Sequence, residues 1–166
     1  MAVRNLADLR PLLASGRRLL GLDLGTKTIG LALSDPGLTV ASPIGTIRRS
    51  KFTVDVRELA EIARAREVGA FVIGLPLTMA GGEGAGGEGP ATQRVRQFAQ
   101  LLLERAELFE TGPEIAFWDE RFSTSAVTRM MIEADMTRKR RAEVVDKMAA
   151  AYILQGALDA LGYHMR

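Results

Sequence analysis

Carboxylates stand at three places where a fold can use them for chemistry. Asp23 lies in the stretch DLGTKTIG at the end of an apolar run. Asp119 and Glu120 close the apolar run 115–118, and Asp146 recurs at helical spacing with Ala149, Ala150, Ile153 and Ala157. Other reactive side chains are scarce: the 166 residues contain no Cys and one His, His164. Thiol nucleophiles, Cys-ligated zinc or iron–sulfur sites, His-based triads and multi-His metal centres are thereby removed. A metal site in this chain has to be built from oxygen, which suits Mg²⁺ or Mn²⁺. Two such ions about 3.5–4 Å apart can activate a water and stabilise the leaving oxygen of a phosphodiester, chemistry that needs neither His nor Cys.

Each acid also has a plainer reading. Asp and Gly are common turn formers, so Asp23 before Gly25 can be a turn residue. A period of two puts Asp23 on the same side of its strand as Leu19 and Gly21, where a glycine leaves room for a ligand. The same period sends Asp119 and Glu120 to opposite faces, so at most one of them opposes Asp23 directly. An ion pair with Arg121 or a helix cap is the alternative for that pair. Asp146 enters a face of small apolar residues, where a carboxylate loses hydration at a cost of a few kcal/mol unless a cation or donors compensate. Its blander roles are to complement the dipole of its helix or to pair with an Arg. Glu143 and Lys147 form an i,i+4 pair suited to solvent.

The segments that must position these acids alternate in a recognisable way. RLLGLDL, TIGLALSD and LTVASPIGTI read as three consecutive antiparallel strands broken by Gly, Asp and Pro. A helix over 54–68 with Val56, Leu59, Ile62 and Ala63 on one face leads into a buried strand, FVIGLPL, at 71–77. GGEGAGGEG at 81–89 predicts a mobile loop, ended by Pro90. A helical stripe of Val95, Phe98, Ala99, Leu102 and Ala106 follows, and Gly112 and Pro113 precede the strand EIAFWDE. Ser123 or Thr124 can cap a helix bearing Val127, Met130 and Met131, and residues 143–162 predict the last helix. Three strands in series, then helix and strand in alternation, imply an α/β fold with a mixed sheet: antiparallel on one side, parallel crossovers on the other. With 47% hydrophobic and 25% charged residues the composition is that of a single globular core. The expected division is an N-terminal helical extension, 1–17, interrupted near Pro11, and one domain, 18–166.

Charge is nearly balanced, 22 Lys and Arg against 20 Asp and Glu, so partners are read from clustering. Arg138, Lys139, Arg140 and Arg141 form a basic run just before Asp146. Such a run is often only a solvated surface; beside an acidic metal site it can hold the phosphates flanking a scissile bond. Arg121 and Arg129 extend the same set, and Lys27, in the turn after Asp23, is a further candidate contact. No aromatic residues interleave the run, so base stacking is not expected. No apolar stretch approaches the roughly 18 residues that span a bilayer, and no leader pattern opens the chain. A cytoplasmic protein without a membrane partner is the expectation.

Five blocks together resemble the YqgF family, also called RuvX, a branch of the RNase H-like fold related to RuvC resolvases. They are GLDLGTKTIGLALSD (21–35), FVIGLPL (71–77), VRQFAQLL (95–102), WDERFST (118–124) and RKRRAEVVDKMAAAYILQGALD (138–159). The resemblance covers about residues 18–161. It implies a three-layer α/β/α arrangement and a divalent-metal-dependent nuclease in which Asp23, Glu120 and Asp146 are the catalytic, metal-binding acids, with Asp119 as an adjacent further candidate. It also implies a role in maturing the 5′ end of pre-16S rRNA, with ribosomal particles as associated partners and branched DNA as the alternative substrate. A monomer suffices for trimming one end, whereas a junction, with two symmetry-related strands, suits a homodimer. Two other classes compete: a non-catalytic nucleic-acid-binding assembly factor on the same scaffold, and an ATP-using phosphotransferase, since DLGT also resembles the phosphate turn of two-domain ATPases. The sequence departs from the family's pattern after GLPL, where Thr78 and Ala80 replace the usual Asn and Asp and the glycine-rich stretch is longer.

Overall fold

The computed structural model describes residues 1–13, 16–77, 89–110, 112–120 and 137–163, with the backbone alone at 12–13, 138–139, 141–147 and 163. Five strands form one sheet in the order β3-β2-β1-β4-β5: β1 (Arg18–Leu24), β2 (Thr28–Ser34), β3 (Ala41–Arg48), β4 (Val68–Leu75) and β5 (Glu114–Asp119). β1–β2 and β2–β3 pair antiparallel, while β1–β4 and β4–β5 pair parallel. The mixed sheet expected from the sequence is therefore present. β4 is buried at all eight positions, as a central parallel strand covered on both faces must be.

Helices α1 (Phe52–Ala65) and α2 (Pro90–Glu104) cover one face, packing Val56, Leu59, Val95, Phe98 and Leu102 against Leu20, Leu22, Phe71 and Ile73. The opposite face, made by Leu19, Ala32, Ala70, Val72 and Ala116, receives α3 (Arg138–Tyr163) through Ala150, Ile153, Leu154, Ala157 and Leu158. Together these make three layers, helix on sheet on helix. The N-terminal segment, a 3₁₀ helix over Leu6–Leu13 with Pro11 inside it, lies on the α3 side, where Leu9 is fully buried. Ahead of it, Val3 bridges in parallel to Ile115 of β5.

Several boundaries differ from the sequence expectation, each for a local reason. β3 starts at Ala41 rather than Leu38 because Asp35 accepts bonds from the Thr39 and Val40 amides, at 2.7 and 2.9 Å, and folds 35–40 into a turn. α1 stops at Ala65 and β4 begins at Val68, with Glu67 between them at a positive φ of 55°, a conformation that ends a helix. β4 stops before Pro76, which cannot donate to a ladder. The last helix begins at Arg138, five residues before the expected start, so the basic run forms its first turn; the Arg140 amide donates to Thr137 Oγ1 at 3.3 Å, a cap that local periodicity did not expose. The helix expected around Val127, Met130 and Met131, with its cap at Ser123 or Thr124, and most of the glycine-rich stretch fall outside the described residues.

Candidate active site

Parallel pairing brings the C-terminal ends of β1, β4 and β5 side by side, with Leu22 opposite Ile73 and Leu75 opposite Asp119. Such an end is where ligands bind in open α/β sheets, because the chain diverges there and leaves a crevice. Strand alternation then sorts the acids. Asp23 follows Leu19 and Gly21 on the α3 face, and Glu120 follows Ala116 and Trp118 to that same face, whereas Asp119 alternates with them. The Glu120 amide, donating to the Leu75 carbonyl at 3.2 Å, fixes the chain just beyond the strand.

Two glycines make room for the arrangement. At Gly74 a Cβ would lie 2.5 Å from Glu120 Oε2 and 2.5 Å from Ile153 Cδ1, so the missing side chain is the space that the carboxylate and α3 share. At Gly21 a Cβ would lie 2.8 Å from Leu154 Cβ and 3.0 Å from the Ala150 carbonyl, so α3 settles directly onto β1. Asp146 belongs to that helix, one turn before Ala150; its side chain lies outside the described residues.

Burial, and after it the negative charges of Asp23 and Asp119, push the Glu120 carboxyl up to about 7. A carboxylate half withdrawn from water beside two others is a site that a cation would relieve, and the donors are hard oxygens suited to a divalent ion. Among the described residues no group of three His, Asp or Glu side chains that could hold a metal ion is assembled, so the described part of the site is the pair Asp23 and Glu120.

Glu120 opens into a cleft of about 570 Å³ whose walls include Leu24, Gly25, Arg49, Pro76 and Arg94. Antiparallel pairing of β3 with β2, with Arg48 opposite Thr28, carries Arg49 to the turn that follows Asp23. There its Nη1 donates to the Gly25 carbonyl at 2.8 Å, and its amide donates to the Lys27 carbonyl at 2.8 Å. Sequence reasoning missed Arg49 and Arg94: Arg49 belongs to the short basic stretch RRSK at 48–51, far along the chain from every candidate acid, and only the tertiary fold brings it and Arg94 to Glu120. Of the basic residues expected to bind nucleic acid, Lys27 is exposed in that same turn and Arg140 is exposed near the start of α3. Arg138, Lys139 and Arg141 share the first turns of α3, where only the backbone is described, and Arg121 falls outside the described residues.

Comparison with known proteins agrees with this architecture. The RuvX family model, described as Holliday junction resolvase, matches residues 17–160. A protein of Rhodospirillum centenum named "Putative pre-16S rRNA nuclease" is 66% identical over 161 residues, covering 97% of this chain and 83% of its own length. A protein of the same name from Paramagnetospirillum magneticum is 56% identical over 153 residues, 92% of each chain. Among solved structures, T. thermophilus RuvC in complex with Holliday junction substrate superposes with a TM-score of 0.51 at 14% identity, covering 90% of this chain and 96% of RuvC, a likeness of fold. The order of strands, the acids at their C-terminal ends and the family match over most of the sequence lead to one assignment: the chain belongs to the RuvX family of nucleases, on an RNase H-like fold.

Proposed function

We propose that this protein is a divalent-metal-dependent endonuclease that trims the 5′ end of precursor 16S rRNA in the cytoplasm. One observation carries the reading: Glu120 stands half-buried with Asp23 at the C-terminal end of the sheet, where burial and the neighbouring acids push its carboxyl up to about 7. Asp23, Glu120 and Asp146 hold Mg²⁺ or Mn²⁺ in this proposal, with Asp119 a further candidate ligand. A divalent ion bound there would supply Lewis acidity at the scissile phosphate and a lowered pKa for the attacking water. The chain's own contribution is to pre-form the oxygen donors on strands and a helix, which hold geometry better than loops, and to surround them with cations that neutralise the polyanion. Lys27, Arg121 and the run Arg138, Lys139, Arg140 and Arg141 are the proposed backbone contacts. Cations in the first turn of α3 oppose its dipole, whereas a phosphate at that end is favoured by both dipole and side chains.

The naming of the 66%-identical relative favours precursor rRNA, and ribosomal particles are then the expected setting. The description of the matching family favours a second reading, cleavage of four-way junctions by a homodimer. A panel of precursor rRNA, single strands and junctions, cut in the presence of Mg²⁺ or Mn²⁺, separates them. Asp23→Asn is expected to lower the cleavage rate more than about 100-fold while leaving binding in place, since even outer-shell partners of metal sites are worth about 10- to 100-fold. Wild-type protein that binds these substrates but never cuts them would make it an assembly factor instead.

A further inference from the structure

We propose that Arg49 and Arg94 form a phosphate clamp beside the acidic pair, gripping the nucleic-acid backbone next to the bond that is cut. The inference rests on the nuclease reading and extends it to residues outside the basic run. Both side chains line the cleft into which Glu120 opens. Arg49 is anchored from two sides: Nη1 donates to the Gly25 carbonyl at 2.8 Å, and its guanidinium carbon sits 5.9 Å from the centre of the Phe98 ring. A guanidinium has five donors in a rigid fork, so a fork held by one bond and an aromatic face presents the rest with little entropy left to lose. Arg94 comes from α2, one residue before buried Val95, and therefore stands on a rigid helix. The cleft is polar and open, about 570 Å³, which fits a nucleotide backbone.

The chemistry requires such a grip. Two or more carboxylates repel an approaching phosphodiester, and the clamp offsets that repulsion on the side away from α3. A bidentate arginine also fixes the phosphate's orientation, which a Lys at the same place does not.

The test uses the full chain carrying Asp23→Asn, so that nothing is cut, with a fluorescein-labelled precursor-type RNA duplex bearing a 5′ extension and, in parallel, a labelled four-way DNA junction. Binding is followed by anisotropy from 50 to 200 mM salt. Arg49→Gln and Arg94→Gln should each weaken binding about tenfold, the size of one charge-assisted hydrogen bond, and reduce the slope of log K against log salt by about one. Arg49→Lys should recover the slope but not the full affinity. Arg64→Gln, on the solvent side of α1 away from the cleft, should change neither. With Asp23 restored, cleavage rate constants should then follow the same order, with the loss in kcat/KM exceeding the loss in kcat. Unchanged affinity and slope in both glutamine variants overturn the clamp, as does failure of the parent to bind either probe; a melting curve identifies an Arg49 variant that misfolds, in which case Arg94→Gln decides. Arginine-dependent binding by a wild-type protein that cuts nothing would sink the nuclease reading and leave the clamp standing.

Discussion

Glu120 concentrates the electrostatics of the site, and its raised carboxyl has a definite consequence for stability. Its native value, about 7, lies above its ordinary value of 4.5, so between those limits the folded chain holds more protons than the unfolded one. Stability contributed at this position is then greatest below pH 4.5, falls as pH rises toward 7, and is level beyond it. A divalent cation favours the charged form and reverses the trend. The metal-free protein should therefore melt at lower temperature at pH 7.5 than at pH 5. Glu120→Gln should flatten that slope, and Mn²⁺ should raise the midpoint more at pH 8 than at pH 5 in wild type only. Thermal scans across this range check it, and equal slopes in wild type and variant would refute the assignment. That at most one acid of the pair 119–120 can share a face with Asp23 was legible in advance, because a period of two is a rigid property of strands. Arg49 and Arg94 were not, because no local pattern encodes which strand lies beside which.

β4 and α3 meet at a glycine, and that contact sets the position of the acid. Gly74→Ala would insert a Cβ 2.5 Å from both Glu120 Oε2 and Ile153 Cδ1, the ends of two flexible side chains, so both the carboxylate and the Ile153 methyl would have to turn aside. Overpacking of this kind costs about 1–3 kcal/mol, and the displaced carboxylate should lower cleavage by a larger factor than the stability loss alone explains. Gly162→Ala, on the same helix with nothing within 4 Å of its Cβ, should be neutral or mildly stabilising. Chemical denaturation and cleavage rates on the two variants, taken together, distinguish a packing role from a general sensitivity to glycine replacement; equal effects would remove the role assigned to Gly74. Strands and helices themselves were readable from alternation and apolar stripes. Their ends were less so: Asp35 takes amides that a strand would have used, Glu67 adopts a left-handed turn without being glycine, and Thr137 starts α3 before its apolar face begins.

The whole fold closes around the N-terminal segment. Val3 joins the outer side of β5, with the Arg4 amide donating to the Ile115 carbonyl at 2.7 Å and Ile115 returning a bond to the Ala2 carbonyl at 2.9 Å. Arg4 also pairs with Glu114 at 3.0 Å, an exposed contact worth little alone. The weight lies with Leu9, which is fully buried among residues that include Ala157, Leu158 and Leu161 of α3. Arg10 reaches the Leu161 carbonyl at 3.3 Å beside it. Because α3 carries Asp146 and sets Ile153 over Gly74, where the Glu120 carboxylate also lies, loosening its far end should reach the site through the helix as a rigid body. Leu9→Ala is expected to cost about 2–5 kcal/mol, the usual range for emptying a closed apolar site. Urea unfolding measures that cost, and hydrogen exchange on α3 should show faster opening of residues 150–161 than in wild type. A loss below about 0.5 kcal/mol, with unchanged exchange, would mean that the segment merely covers the surface; a loss in the expected range would make residues 1–13 part of the machinery that holds α3, and through it the acids, against the sheet.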